Sequence, residues 1–421
     1  MSLQTQSSEK EVDDLKSELA ESNNLAIVAD SATIAKNTFL ANVGHELRTP
    51  LHNIMGSVDI LLTQKDLSPE EQKNYFNIIK QKSQDLLTLV NDLLDISKIE
   101  AGKLSLHYET VKFKNIIKEV SRSFENDVKI KNIKYNYHID KNIPRFLTID
   151  SFRLKQILIN LIGNAIKFTN NGTIDVFAMK ITNEDIEIKN KIELEFCISD
   201  TGIGIPKHKQ SQLFKPFSQV QDVTQQQYGG TGLGLAISKR LAEMMDGKIW
   251  DEDNVPKGTR FCFTIVAKRN EKKIYPTIIE NVLLGQKSKE TLDKRILSLL
   301  IVEDDAISLD ILKSIIREKS KNIVVAPAYD GQQAVEIYTK QKIDMILTDI
   351  QMPKMDGYSM IQQIRAIEKD TNKHILILAM TASGMPCDKE KCLKVGADYY
   401  ITKPVIKEDL YNNLDKMIVR L

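Results

Sequence analysis

His45 stands directly beside Glu46 in the stretch Asn42-Val-Gly-His-Glu-Leu-Arg-Thr-Pro50, with Thr49 one helical turn further on. A carboxylate next to an imidazole can accept one ring proton and leave the other nitrogen as a nucleophile near neutral pH. The surrounding run is helical in period, with Leu40, Val43, Leu47, Leu51, Ile54, Val58 and Leu61 at three- and four-residue steps. At about 100° per residue, Val43, Leu51 and Ile54 fall within roughly 40° of Leu47, whereas His45 lies roughly 160° away. His45 is therefore expected to face solvent. Pro50 has no N–H, so the Glu46 carbonyl loses its helical partner and a bend is expected that opens this face. The plain alternative is an exposed histidine on a kinked helix. His52, also off the stripe but without a carboxylate beside it, reads as a surface residue.

A second set of residues suits a nucleotide. Asn160 and Asn164 are one helical turn apart with Lys167 close behind; amide oxygens can ligate a hard cation and a lysine can neutralise phosphate. Asp200-Thr-Gly202-Ile-Gly204 follows the strand-like run Glu193 to Ser199. Its carboxylate can accept from an exocyclic amino group, and its glycines allow close backbone approach. Phe214 and Phe217 flank Lys215-Pro216. Gly229-Gly230-Thr231-Gly232-Leu233-Gly234 opens a helix, where such a loop presents N–H groups to phosphate. Any one of these patterns alone is weak, since glycine turns are usually just turns.

A third set lies in the last quarter of the chain. Strand-like runs end in Glu303-Asp304-Asp305, in Asp349, in Thr381 and in Lys403-Pro404. Ligands of a doubly wound parallel sheet bind outside the carboxyl ends of its strands. Acids crowded there need a divalent cation, and oxygen ligands point to Mg²⁺.

The elements that must hold these groups divide the chain into a coiled-coil or flexible leader (1–30), a helical hairpin (31–102), a mixed α/β region (103–268), a charged linker (269–295) and a strand–helix alternation (296–421). In the hairpin, Ser68, Pro69 and Glu71 have the residue types of an N-cap, a first helical position and a capping box. Its wide apolar face has no cover within the hairpin, so a second copy completing a four-helix bundle is expected. The stretch from Leu94 to Leu104 is a candidate hinge. With 421 residues, two to four domains are expected. A net charge of +1 with interspersed signs excludes a strong field for nucleic acid or an anionic membrane. The four cysteines form no CxxC pair, so reduced thiols are expected, with Cys197 and Cys262 as small apolar core residues and Cys387 and Cys392 on a surface helix. No apolar run reaches the length of a membrane span, which suggests a cytoplasmic chain or the cytosolic part of a longer, membrane-bound sensor.

The stretch His45-Glu-Leu-Arg-Thr-Pro-Leu51 resembles the phosphoacceptor motif of sensor histidine kinases. Gly44 departs from it, standing where serine is frequent. The four nucleotide patterns, in this order, resemble the ATP-binding domain shared by histidine kinases, gyrase-type ATPases and the Hsp90 family. Residues 296–421 resemble the receiver domain of two-component regulators. In this order they resemble a hybrid histidine kinase, which implies a helical hairpin dimerising as a four-helix bundle, an α/β-sandwich ATP-binding domain and a flavodoxin-like receiver. The resemblance implies ATP and Mg²⁺ as cofactors, phosphorylation of His45 with Glu46 as base, and Thr49 orienting water in the reverse reaction. It implies Asn160 and Asn164 on Mg²⁺, Asp200 on adenine, and Phe214 to Gly232 as an ATP lid. In the receiver it implies Asp349 as phosphate acceptor, Glu303 and Asp304 on the metal, Thr381 and Lys403 on phosphoryl oxygens, and Tyr400 as a switch aromatic. Asp305 has no firm place in this scheme, and Asp356-Gly357 reads as a turn only. A homodimer and a downstream phosphotransfer protein or response regulator are the implied partners. Net phosphatase output and a non-catalytic scaffold stay open as alternatives.

Overall fold

The computed structural model describes residues 40–181, 191–216, 232–255, 257–269, 296–371, 373–381 and 386–421. The expected leader, most of the expected linker, and Phe217, Gly229, Gly230 and Thr231 of the glycine loop lie outside them. The described residues fall into two units, divided between Glu271 and Lys272.

In the first unit, helix α1 covers residues 40–63 and runs without interruption through Pro50. Ser68 then caps α2 (Pro69–Glu100), with the reciprocal bonds to Glu71 that its sequence predicts. The Ser68 hydroxyl and N–H, both donating to the Glu71 carboxylate, hold its carboxyl below the ordinary value. Two apolar stripes stay uncovered: Leu51, Met55, Val58 and Leu62 on α1, and Leu87, Val90 and Leu94 on α2. The opposite side of α2 is different. Leu89, Ile96 and Leu104 belong to one apolar core shared with the α/β region that follows. The expected hinge at Leu94 to Leu104 is thus anchored by burial of Ile96 and Leu104.

That α/β region comprises β1 (Glu109–Lys112), α3 (Phe113–Ser123), α4 (Glu125–Ile130), β2 (Ile133–Ile139), β3 (Phe146–Ile149), α5 (Ser151–Phe168), β4 (Gly172–Ile181), β5 (Lys191–Asp200), α6 (Lys207–Gln210), α7 (Gly234–Met244), β6 (Ile249–Asp253) and β7 (Thr259–Arg269). Its seven-stranded sheet runs β1-β3-β7-β5-β4-β2, with β6 on β7. Among the described residues of this sheet, only β2 and β4 pair in parallel. Alternate residues of β5 and β7 (Leu194, Phe196, Ile198; Phe263, Ile265, Ala267) enter the core with α3, α5 and α7, so the helices cover one face.

Cys197 and Cys262 do lie buried on core strands, as expected, but the expectation of reduced thiols fails. Cys197 and Cys262 form a disulfide. They are directly opposed in the β5–β7 register, with Cα atoms 4.2 Å apart, close to the spacing of a non-hydrogen-bonded antiparallel pair. Short-range spacing is blind to such a pair, because strand register alone joins residues 65 apart.

The second unit alternates β8 (Leu297–Val302), α8 (Ala306–Lys319), β9 (Ile323–Ala328), α9 (Gly331–Lys340), β10 (Met345–Asp349), α10 (Gly357–Thr371), β11 (Leu376–Thr381), α11 (Pro386–Lys394), β12 (Tyr399–Thr402) and α12 (Lys407–Arg420). The five strands are parallel in the order β12-β11-β10-β8-β9, the flavodoxin-like arrangement. Separate apolar clusters fill its two sides. Cys392, expected on a surface, is fully buried in one of them, because its face of α11 turns toward the sheet.

Candidate functional site

His45 and Thr49 are exposed, Glu46 and Leu47 half-buried and Pro50 buried. The imidazole therefore projects away from the packed side of α1, as its helical angle predicts. The Thr49 hydroxyl donates to the His45 carbonyl at 3.3 Å. His52 is exposed as well.

Helix α5 carries the amides of Asn160 and Asn164. Asp150 caps it, accepting from the Arg153 N–H at 3.0 Å and from the His107 N–H at 2.8 Å. Asn160, Asn164 and Lys167 follow on one side, all half-buried. The Asn160 amide donates to Ser238 Oγ on α7 at 2.8 Å, which turns its oxygen toward the start of α7. A Cβ at Gly234 would sit 2.2 Å from that oxygen, so a larger residue here would push the Asn160 side chain out of this bond. Burial pulls the Lys167 ammonium below its ordinary pKa. At the far end of α5, the Lys131 ammonium donates to the carbonyls of Ile166 at 2.7 Å and Lys167 at 3.1 Å. It satisfies acceptors that the helix end leaves open.

Asp200 is buried at the end of β5. Its Oδ1 accepts from the N–H of Gly202 at 2.8 Å and of Thr259 at 3.3 Å. Burial pushes its carboxyl above the ordinary range, and these two bonds pull it part of the way back. The glycines around it serve close approach. A Cβ at Gly202 would meet the Phe168 carbonyl at 2.4 Å, and one at Gly258 the Asp200 carbonyl at 2.0 Å. Gly204 and Gly232 add left-handed φ values of 76° and 66°. Leu233 is fully buried. Phe214 stands edge-on to Phe261 at 6.4 Å.

Sequence reasoning missed Ser238, which orients Asn160, and Asn254, whose amide donates to the Asp200 carbonyl at 2.6 Å. Ser238 lies four residues after Gly234 in a helix that the glycine loop announces, so a helical projection could have raised it. For Asn254 no such signal exists.

In the second unit, Lys403 Nζ reaches Glu303 at 2.8 and 3.0 Å and Asp349 at 2.7 Å. Oxygens of Glu303, Asp304 and Asp349 all lie within 4.8 Å of one another, with Asp304 exposed and the other two buried. Three hard oxygen donors converging from two strand ends fit a divalent cation. Burial raises the Glu303 carboxyl, against the opposing pull of Lys403. For Lys403, burial works downward, but its bonds to Asp349 and Glu303 prevail and raise it. Thr381 is buried at the end of β11, where its carbonyl accepts from the Lys403 N–H at 2.7 Å. Tyr400 is half-buried on β12.

Asp305 caps α8 through the Ser308 N–H at 2.7 Å, a local structural task. The Asp356-Gly357 pair does more than turn the chain. Asp356 accepts from the Ser359 N–H at 2.7 Å, and a Cβ at Gly357 would lie 2.3 Å from the Asp349 carbonyl. Gly357 is what lets this segment close behind Asp349.

Three family models match the chain in order. They are the His Kinase A (phospho-acceptor) domain over residues 35–102, the histidine kinase-, DNA gyrase B-, and HSP90-like ATPase over 149–269, and the response regulator receiver domain over 299–415. The sensory/regulatory protein RpfC of Xanthomonas campestris pv. campestris is 28% identical over 408 residues, covering 93% of this chain and 55% of that protein. Two-component system protein A of Emericella nidulans is 32% identical over 405 residues, covering 94% and 58%. The chain thus spans a little over half the length of these curated relatives. A crystal structure of full-length ShkA in complex with AMPPNP aligns with a TM-score of 0.42 at 21% identity, covering 90% of this chain and 98% of that one. No described helix is long and apolar enough to cross a membrane.

Proposed function

Because this chain belongs to the hybrid histidine kinases, which join a phosphoacceptor hairpin, an ATP-binding unit and a receiver in one polypeptide, we propose that it moves the γ-phosphoryl of ATP to His45 and then to Asp349. The observation that carries the reading is His45 itself. It is an exposed imidazole beside a half-buried carboxylate, on a hairpin whose second helix is built into the ATP-binding core.

In the first step a ring nitrogen of His45 attacks the γ-phosphorus and the bond to ADP breaks, while Glu46 accepts the proton of the other nitrogen. In the second step an Asp349 carboxylate oxygen attacks that phosphorus and the P–N bond breaks. Asn160 and Asn164 are the ligands we assign to an Mg²⁺ that would screen the triphosphate, with Lys167 beside it. Asp200 accepts from the adenine amino group, with Phe214 flanking the ring, while Gly202 and Gly204 let the backbone pack closely around the Asp200 carboxylate. Gly230 to Gly234 offer N–H groups to the phosphates. In the receiver, Glu303, Asp304 and Asp349 would hold a second Mg²⁺, while Thr381 and Lys403 neutralise the phosphoryl oxygens. Positioning and charge neutralisation supply most of the rate in such transfers. Thr49 serves the reverse, hydrolytic direction.

The partners belong to the same proposal. A second copy covers the apolar stripes of the hairpin, and a phosphotransfer protein or response regulator takes the group from Asp349 on the cytosolic side where ATP is available. On the receiver, Ile307 and Ile311 stand exposed one turn apart on α8, an apolar strip suited to such a partner. The test is incubation with ATP labelled at the γ-phosphate and Mg²⁺. Wild type takes label, His45→Gln takes none, and Asp349→Asn keeps label that is acid-labile and base-stable. Label persisting in His45→Gln overturns the assignment.

A further inference from the structure

A buried ion pair joins the hairpin to the ATP-binding unit. Asp95 Oδ2 on α2 accepts from Arg153 Nη1 and from Gln156 Nε2 on α5, each at 2.8 Å, and Arg153 also donates to Gln156 Oε1 at 2.7 Å. Asp95 is 8% exposed and Arg153 2%. None of the three residues belongs to the chemistry described so far. Leu89, Ile96 and Leu104 already give this contact an apolar seam, so adhesion does not require the charges.

The two kinds of contact do different work. An apolar seam is non-directional and tolerates sliding. Hydrogen-bonded charges in a low-dielectric contact accept one geometry, because any shift leaves a desolvated group unpaired. Their net adhesion is small, since the cost of removing both from water nearly cancels their attraction. A contact that must re-form in one register after each opening calls for that combination. The placement on α5 adds the link to nucleotide. Gln156, Asn160 and Asn164 follow at four-residue steps on one face of the helix. The two asparagines therefore lie about 6 and 12 Å along the axis from the residue that grips Asp95.

We propose that Asp95, gripped by Arg153 and Gln156, is a positioning clamp: it fixes the register of α5 against α2, and so the place where the triphosphate end of bound ATP meets the phosphoacceptor hairpin. The proposal rests on the assignment of Asn160 and Asn164 to the triphosphate made above. Without the clamp the ATP-binding unit still folds and binds nucleotide but samples many poses, and the fraction aligned for transfer falls.

The test uses the full chain, with initial rates of His45 labelling measured against ATP concentration and binding of a non-hydrolysable ATP analogue measured separately. Asp95→Ala and Arg153→Met should each lower the rate at saturating ATP by about tenfold. The KM for ATP and the analogue Kd should stay within about twofold. Because the two residues act through each other, the double variant should fall no further than the worse single one. The double variant also replaces a buried pair by apolar groups, which folds tend to accept, so it decides the matter if either single variant fails to fold. Gln156→Leu keeps the ion pair and should cost only about two- to threefold. Unchanged or raised rates, a KM that rises in step, or additive losses in the double variant overturn the clamp. A wild-type chain that takes no label removes the kinase reading itself, whereas label in wild type that the variants leave unchanged removes only the clamp.

Discussion

Asp200 is the residue at which fold and chemistry pull in opposite directions. Its carboxylate is sealed at the end of β5, where burial raises its pKa and so opposes ionisation, and two backbone N–H groups hold it in place. A carboxyl whose folded pKa is raised favours the fold most below its unfolded pKa, and that advantage is lost as pH climbs through the folded value. Asp200→Asn keeps an oxygen for Gly202 and Thr259 but no charge. It should therefore melt at or above the wild-type temperature at pH 7, with the gap closing as pH falls through the carboxylate range, as thermal scans at several pH values will show. On the proposed role of Asp200, nucleotide binding moves the other way, because an amide N–H₂ would face the adenine amino group. A loss of roughly 100-fold in ATP-analogue affinity is expected by calorimetry, on the order of 3 kcal/mol for a charged hydrogen bond replaced by an unsatisfied one. Residues of this kind were legible in the sequence because their neighbours in the chain, the glycines at 202 and 204, mark them. Asn254 was not. Its partner is the main-chain carbonyl of Asp200, 54 positions away, and only the β6–β7 turn brings the two together. Lys403 lay between these cases: its position after a strand was readable, its grip on both Glu303 and Asp349 was not.

Among the elements, local chemistry read well and long-range contacts did not. The Ser68–Glu71 box is written within four residues, and the helix begins where it says. The strands carrying Glu303, Asp349 and Thr381 were likewise visible as short apolar runs ending in a polar group. The expected hinge shows the limit. Leu94 to Leu104 carries the glycine and charged residues of a helix end, and nothing in it announces that Ile96 and Leu104 insert into the core of another region. The β5–β7 disulfide is a second case, since register and not spacing unites its cysteines. Closing a loop of 65 residues restricts the unfolded chain by about 4 kcal/mol in the chain-entropy picture. Two checks follow: a thiol assay without reductant should find Cys197 and Cys262 unreactive even after unfolding, and dithiothreitol should lower the melting temperature of the ATP-binding unit by several degrees. Equal melting temperatures with and without reductant would remove the crosslink from the stability account.

For the molecule as a whole, its parts differ in whether each apolar surface has a cover. The receiver encloses its own cores, and the α/β region encloses one with one side of α2; the remaining faces of the hairpin stay open. Its exposed side chains, 75% for Leu62 and 58% for Met55, form stripes that water penalises at about 25 cal/mol per Å². Leu51→Glu combined with Leu62→Glu should convert the protein from dimer to monomer in sedimentation equilibrium, with the ATP-binding unit still able to take up nucleotide. A wild type that sediments as a monomer at micromolar concentration refutes the pairing. If the stripes do close against a second copy, the phosphoacceptor helix owes part of its integrity to mass action. Dilution then becomes a denaturant acting on one region alone: below the dissociation constant, labelling per chain should decline while the receiver, sealed within a single polypeptide, keeps its structure.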